Sequence, residues 1–530
     1  MKNILLVCKE TYTYPMNFIN KEFLNRGYST EAIFIHSSEI LLKDPSYTTF
    51  IEMNKETPVH TFSSVFDKYI KNIKDIDAHI DYAYLKYIEE TYCDELPLSL
   101  LQISSQLFTT PYHYRFFFKP MSEVQKLYWI QLLFKYLTDL MDNNNYDMVC
   151  DLDIAEIGRS ILHLICNKKG VKYVTIEHSR YDDILLPTYN LGRKTDDYFV
   201  QQYNFNCNAK IEVSYIEKVK LFSKKDNIMA KSYELNNTAK KKSNPVVKDI
   251  KKLYGIMKYL SSTLPNWYKN KNIPILANPL KSMLFFILWV VRERYLLSQR
   301  NDFFEDIRDK NEEYVYFPLH LIPESTTLNK SPFYPNELSV IEAVSKALPV
   351  GWKLYVKEHG AMIGERPLSF YKKLKKLTNI TLVRLDCYND PKPWILNSKG
   401  VITLSGTSAF EASLCGKPSL MFGNAYFEVL DNITKVKSFE NLPSLINEFK
   451  YYKQQSINSQ AAFLKTITEC GKKISFLKLM AECEKLILIQ QNISEESQLD
   501  VKKIVDLYLL NFNTDTDTDT DTDTDTDGDM

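Results

Sequence analysis

The chain has 530 residues, 45% hydrophobic and 25% charged, the composition of a soluble globular protein with two or more domains. Its nine cysteines are odd in number and scattered, without a CxxC pair or metal-ligand spacing, a pattern that argues against a metal centre and fits a reducing cytoplasm. The formal net charge of +0 hides an uneven distribution: Thr514–Met530 is a Thr-Asp repeat with eight Asp, and the rest of the chain sets 66 Lys+Arg against 58 Asp+Glu, a formal +8.

Ile4 to Cys8 is too short an apolar run for a signal peptide and reads as a first β-strand. Tyr14 to Arg26 predicts a helix ended by Gly27, and an aromatic-rich helical stretch follows around Leu127 to Met141. Tyr146 to Cys150 then predicts a strand, Ile157 to Cys166 a helix, Gly170 a break and Tyr173 to Ile176 a strand. This is a βαβ unit, the building block of parallel sheets. Its strand ends deliver Asp151, Asp153 and Glu156 on one side and Glu177, His178 and Arg180 on the other, where open α/β sheets place ligands. Acid–base chemistry needs a carboxylate or imidazole at such a rim. Glu156 is the favoured general base or nucleophile, with Asp153 and His178 behind it. Each rim group also has an ordinary reading: helix cap for Asp151 or Asp153, polar loop residue for His178.

The middle of the chain is basic. From Lys210 to Arg300 there are 19 Lys+Arg against 6 Asp+Glu, a local +13. Within it, Ser282 to Val291 is an apolar run flanked by Lys281, Arg292 and Arg294, too short for a bilayer span of about 20 residues. It reads either as a helix lying on an anionic membrane surface or as a core helix. Lys240 to Lys242 and Lys251-Lys252 add to the charge that would favour a membrane. No DNA- or RNA-binding signature accompanies the charge, so nucleic acid is not an expected partner.

Tyr314 to Phe317 predicts a strand stopped by Pro318, with His320 and Glu324 emerging beyond it. A helix starts near Pro335-Asn336, with Leu338, Ile341, Val344 and Leu348 at helical spacing. The next strand, Trp352 to Val356, delivers Lys357-Glu358-His359 at its end, where Lys357 and His359 can donate to a phosphate or a sugar carboxylate. Val401 to Gly423 then reads as strand, Ser405-Gly406-Thr407-Ser408 turn, short helix, Gly416 stop and second strand. Free backbone N–H groups and small hydroxyls gather at such a turn and favour phosphate. Glu411, one turn into the helix, would repel a phosphate but not a diol. It therefore points to a nucleotide, with phosphate on the turn and ribose on Glu411; the alternative is a capped helix with Glu411 as a first-turn acid.

PLHLIPEST at 318–326, VKEHG at 356–360 and SGTSAFEASLCGKP at 405–418 resemble, in that order, the capsule polysaccharide biosynthesis proteins, relatives of the Kdo transferases of capsule and lipopolysaccharide assembly. The resemblance is strongest over about 310 to 430. It implies a GT-B-like α/β fold, two Rossmann-like domains facing across a cleft, with the donor held by the C-terminal domain and the acceptor by the N-terminal one. By resemblance, Lys357, His359, Ser405, Gly406, Thr407 and Glu411 are donor-site residues, joined by His320 and Glu324; Ser408 belongs to the same turn. Many relatives carry His-Pro where this chain has His359-Gly360, which bears on loop shape and donor sugar.

The expected organisation is an acceptor-side domain over 1–204, a basic, partly helical region over 205–310, a nucleotide-sugar-binding domain over 311–490, a helix over 491–513 and a disordered acidic tail over 514–530. The expected activity is metal-independent glycosyl transfer from a nucleotide-sugar, CMP-linked in many relatives, to a glycan or glycolipid of a bacterial surface polysaccharide. No cofactor is expected. The expected setting is the cytoplasm or the inner face of the plasma membrane, beside the capsule assembly machinery. Alternatives are a teichoic-acid-type polyol-phosphate transferase using a CDP-polyol, a sugar-nucleotide epimerase and a non-catalytic assembly scaffold.

Overall fold

Continuous apolar runs such as Ile4–Cys8 suit strands covered on both faces, and the chain builds two such sheets. The computed structural model describes residues 2–35, 44–93, 96–224, 303–307, 311–384, 392–454, 456–487 and 491–510; between 250 and 298 it describes 250, 254–255, 257–258, 260–261, 264–265, 267–268 and 277–298. The Thr-Asp repeat, Lys240–Lys242 and Lys251-Lys252 lie outside the described residues.

The first sheet contains β1 (Asn3–Cys8), β2 (Ser29–Phe34), β3 (Val59–Thr61), β4 (Met148–Cys150), β5 (Lys172–His178) and β6 (Ile184–Thr188). β3-β2-β1-β4-β5 run parallel and β6 returns antiparallel. β1 alternates between two cores: Leu5 and Val7 pack on one face, Ile4, Leu6 and Cys8 on the other. The helix Ile157–Lys169 that links β4 to β5 stops at Gly170, and the long helix Glu123–Asn143 starts with a reciprocal cap between Ser122 and Gln125.

The second sheet is wholly parallel. Its strands are β7 (Tyr314–Pro318), β8 (Lys353–Lys357), β9 (Ile380–Leu382), β10 (Gly400–Thr403), β11 (Ser419–Met421) and β12 (Ile433–Lys435), in the order β12-β11-β10-β7-β8-β9. Numbered within the domain and read from the β9 edge, that is 3-2-1-4-5-6, the doubly wound Rossmann order. The molecule therefore has the two Rossmann-like α/β domains of the GT-B-like plan.

The packing departs from the expected boundaries. After residue 471 the chain returns to the first domain: β13 (Lys472–Lys473) pairs antiparallel with β6. The helices Phe476–Ile487 and Glu495–Leu509 then bury Leu479, Cys483, Ile504 and Tyr508 against Ile4, Leu6 and Phe23. A boundary at 490 would cut between these two helices. Conversely, the helices Asp197–Asn208 and Val213–Lys224 bury Phe199, Tyr203 and Val219 against Phe410 and Phe463 of the second domain, so a boundary at 204 falls inside a helix. The cause is the same in both cases: an amphipathic helix must cover an apolar face, and the faces available lie on the other domain.

Candidate functional site

In a doubly wound sheet a crevice opens at the carboxyl ends of the strands where the winding reverses. In the second domain that point lies between β7 and β10, which pair directly. His320 follows β7 and Thr403 ends β10. One carboxylate oxygen of Glu337 accepts from the His320 backbone N–H at 2.6 Å and pairs with its Nδ1 at 3.0 Å. The other oxygen of Glu337 takes Arg366, whose guanidinium also holds Glu358 and donates to the His320 carbonyl at 2.8 Å. The Tyr371 hydroxyl closes the network on Glu358 at 2.6 Å. His320, Glu337, Glu358 and Arg366 are all buried. Burial works against the Glu337 charge, but Arg366 and the His320 hydrogen bonds outweigh it and hold the carboxyl below its usual range. Burial likewise opposes the Arg366 charge, and Glu358 and Glu337 together hold it on.

With the ionised Glu337 at Nδ1, the proton is assigned to that nitrogen and the lone pair to Nε2. Nε2 lies 2.8 Å from the Thr403 hydroxyl, which in turn accepts the Gly406 N–H at 3.1 Å. Gly406 is required by close approach: a Cβ there would stand 2.6 Å from Thr403 Oγ1 and 3.0 Å from His320 Nε2. The buried ion network thus fixes the Ser405–Ser408 turn from below. Ser405, Gly406, Thr407 and Ser408 are partly exposed, and among the described residues the hydroxyls of Ser405, Thr407 and Ser408 have no protein hydrogen-bond partner. The helix Ser408–Leu414 adds first-turn N–H groups to the same spot.

Lys357 ends β8 in register with Pro318, and its ammonium sits 6.0 Å from the Trp394 ring centre. The structure therefore brings together His320, Lys357 and the 405–408 turn. His359 is exposed on the next loop, where its Nδ1 accepts from the Ala361 N–H at 3.2 Å. Glu411 is buried beneath the turn, near Tyr316, whose phenol is pushed up first by burial and then by the Glu411 charge. Glu324 is exposed at the start of the helix Ser325–Lys330, accepting from Thr327 Oγ1 at 3.1 Å.

The first domain has its own reversal point between β1 and β4. Arg159, fully buried, donates to both oxygens of Asp151 at 2.6 and 3.0 Å and to Asp153 at 2.9 Å. Asp153 also accepts its neighbour Ile154 N–H. His178 accepts the Arg180 N–H on Nδ1 at 2.9 Å, and burial, reinforced by Arg180, lowers its pKa to about 4. Asp153 and His178 are thus held in place at the rim, the carboxylate shared with a guanidinium and the imidazole Nδ1 with a backbone N–H.

Glu156 is placed differently. It caps the helix Ile157–Lys169 at φ +116°, a backbone region that side-chain-bearing residues adopt only under constraint. Its carboxylate accepts from the Ile157 N–H at 3.2 Å, lies 3.9 Å from Lys9 Nζ, and borders a cavity lined by Ile35, Phe62, Phe66, Trp129 and Leu133.

The two rims face each other. Lys330 of the second domain pairs with Glu177 of the first, and Asn329 donates to the carbonyls of Ile154 at 3.2 Å and Leu191 at 2.7 Å. Tyr12, following β1, has its phenol pushed up by burial and then by Asp153 and, across the gap, Glu324. Among the described residues no group of three or more His, Cys, Asp or Glu is placed to hold a metal ion.

Sequence reasoning missed Lys9, Glu337, Arg366 and Arg159. Lys9 carries a usable signal, since it follows a strand end as Asp151 and Lys357 do; Glu337 and Arg366 act through each other across 29 positions, while Arg159 lies within a helix 6 and 8 positions from its acids.

The fold and these rims define a two-domain α/β protein with an interdomain crevice. No family model matches the chain, and no curated protein matches it. Among solved structures it is similar to MnaA of S. aureus with UDP, at 11% identity over 92% of this chain and 97% of that one, TM-score 0.25. A beta Kdo 2,7 transferase, KpsC of Thermosulfurimonas dismutans, is 13% identical over 68% of this chain and 87% of that one, TM-score 0.27. The UDP-GlcNAc 2-epimerase of Methanocaldococcus jannaschii, in complex with UDP-GlcNAc and UDP, is 9% identical over 88% of this chain and all of that one, TM-score 0.26.

Proposed function

We propose that the crevice binds a nucleotide-sugar and that the protein transfers the sugar to a glycan or glycolipid acceptor of a bacterial surface polysaccharide. The observation that carries this reading is the Ser405–Ser408 turn, with its free hydroxyls and N–H groups, anchored through Thr403 and His320 to a buried ion network. An anion site that needs no rearrangement on binding stabilises charge as it develops on a leaving phosphate. Lys357 supplies positive charge beside it. Glu411, under the turn, is the candidate for the ribose hydroxyls, while His359 and Glu324 lie at the outer edge for the sugar.

Opposite, Glu156 is the group suited to take the proton of an acceptor hydroxyl, or to attack as nucleophile. Lys9 and the Ile157 N–H orient its carboxylate, and mostly apolar side chains line the cavity beside it. The motifs at 318–326, 356–360 and 405–418 favour a surface-polysaccharide product and an acidic donor sugar.

Product analysis with nucleotide-sugars and an oligosaccharide or lipid-linked acceptor tests the reading. Transfer requires that nucleotide release depend on acceptor. A changed sugar without acceptor would identify an epimerase, and a phosphate carried to the acceptor would identify a polyol-phosphate transferase.

A further inference from the structure

The helix Pro279–Leu297 is held on one side only. Ser282, Phe285 and Leu296 are buried, and Phe285 packs edge-on against Phe117 at 5.2 Å and Phe116 at 5.5 Å. Trp289 Nε1 donates to the Ile363 carbonyl at 2.7 Å and Arg292 to the Glu365 carbonyl at 3.3 Å. The backbones approach so closely that a Cβ on Gly364 would meet the Trp289 carbonyl at 2.5 Å. Glu365 itself pairs with Arg115 at 2.7 Å, so the helix is fixed to a loop of each domain.

The opposite side carries Leu280, Leu284, Ile287, Val291 and Tyr295, each between 36% and 60% exposed. Their spacing of three and four residues makes one continuous stripe. Upstream, Ile250, Tyr254, Met257, Leu264 and Tyr268, at intervals of four, three, seven and four, are exposed between 39% and 71%. A contiguous apolar stripe such as the one on Pro279–Leu297 marks an interaction face. It lies in the stretch whose formal charge is +13, and Lys258 and Lys281 are exposed beside the stripes. Among the described residues no helix is long and apolar enough to cross a membrane.

We infer that this face rests on an anionic lipid surface, the apolar stripes entering the acyl boundary and the lysines meeting the headgroups. Charge selects this occupant over a second copy of the chain, whose matching face would carry the same positive excess. The segment 363–366 grips the helix and ends in Arg366, the guanidinium under His320, so lipid face and crevice keep a fixed relation. The inference stands apart from the reading of the crevice, because lipid binding needs neither donor nor acceptor.

The test is co-sedimentation of the full chain with vesicles of phosphatidylcholine and phosphatidylglycerol, against vesicles of phosphatidylcholine alone. The wild type should bind the anionic vesicles. Binding should fall at least about tenfold in Leu284→Ser/Val291→Ser and in Lys258→Glu/Lys281→Glu, with Tm unchanged because these side chains are exposed. Absence of wild-type binding, equal binding to both vesicle types, or equal binding by the variants would overturn the inference. So would a dimer in light scattering that Leu284→Ser/Val291→Ser dissolves, which would give the face to a second copy.

Discussion

Each rim is built on a buried arginine that holds two acids: Arg159 with Asp151 and Asp153, Arg366 with Glu337 and Glu358. The rims differ in what those frames present. The second domain passes its order through His320 and Thr403 to a turn of small hydroxyls and N–H groups, the surface proposed for an anion. The first domain presents one carboxylate, Glu156, at a constrained backbone and beside an apolar cavity. Paired charges build both walls.

The largest effect should come from breaking either frame. Arg366→Met leaves two buried carboxylates without their cation, and Arg159→Met leaves buried Asp151 and half-buried Asp153, at a cost of about 3–5 kcal/mol in urea denaturation, the larger for Arg366. A loss below about 1 kcal/mol would mean the acids are not held as described.

Glu156→Gln keeps the shape of the rim and removes its base. Turnover should drop by about 10²–10⁴-fold with donor affinity retained, whereas unaltered turnover would exclude Glu156. Asp153→Asn should instead lower Tm, because it weakens the Arg159 pair.

Acid should loosen the first domain before the second. Burial lowers the pKa of His113, His163 and His178 from 6.5 to about 4. A depressed histidine gives stability that is present above the unfolded pKa and lost as pH falls toward the folded one, so Tm should decline between pH 6.5 and 4. Asp196 runs the other way: burial raises it from 3.8 to about 6, so its contribution improves over the same fall in pH. Burial raises the Asp151 carboxyl as well, so two acids oppose three histidines, and the three prevail. His163→Gln should flatten the decline by about 3 kcal/mol or less, and an unchanged profile would count against a neutral buried His163.

Much of this architecture was legible locally. The strand before Asp151, the β7 and β8 ends at His320 and Lys357, and the 405–408 turn follow from apolar runs stopped by Pro, Gly or Ser. The Arg366 frame was not, because Arg366 reaches Glu337 across 29 positions and His320 across 46, and no periodicity links them. A helix over 491–513 was readable, but an apolar face does not name the sheet it covers. Likewise 282–291 read as apolar all round; the fold splits it into a gripped side with Phe285 and Trp289 and an exposed side with Leu284 and Val291.

A gentler change sharpens the second rim. Gly406→Ala places a methyl group against Thr403 and His320, tilting the turn while the core stays packed; donor Kd should rise by about tenfold, equivalent to about 1.4 kcal/mol, with Tm shifted by only a few degrees.

The central claim is that the anchored turn is a nucleotide-sugar wall, and calorimetric titration of the wild type and Gly406→Ala with a panel of CMP-, UDP- and CDP-linked donors addresses it directly. Saturable binding of a nucleotide-linked donor by the wild type, weakened in the folded variant, is the predicted result. No binding of any member of the panel, or equal binding by both proteins, would contradict the account.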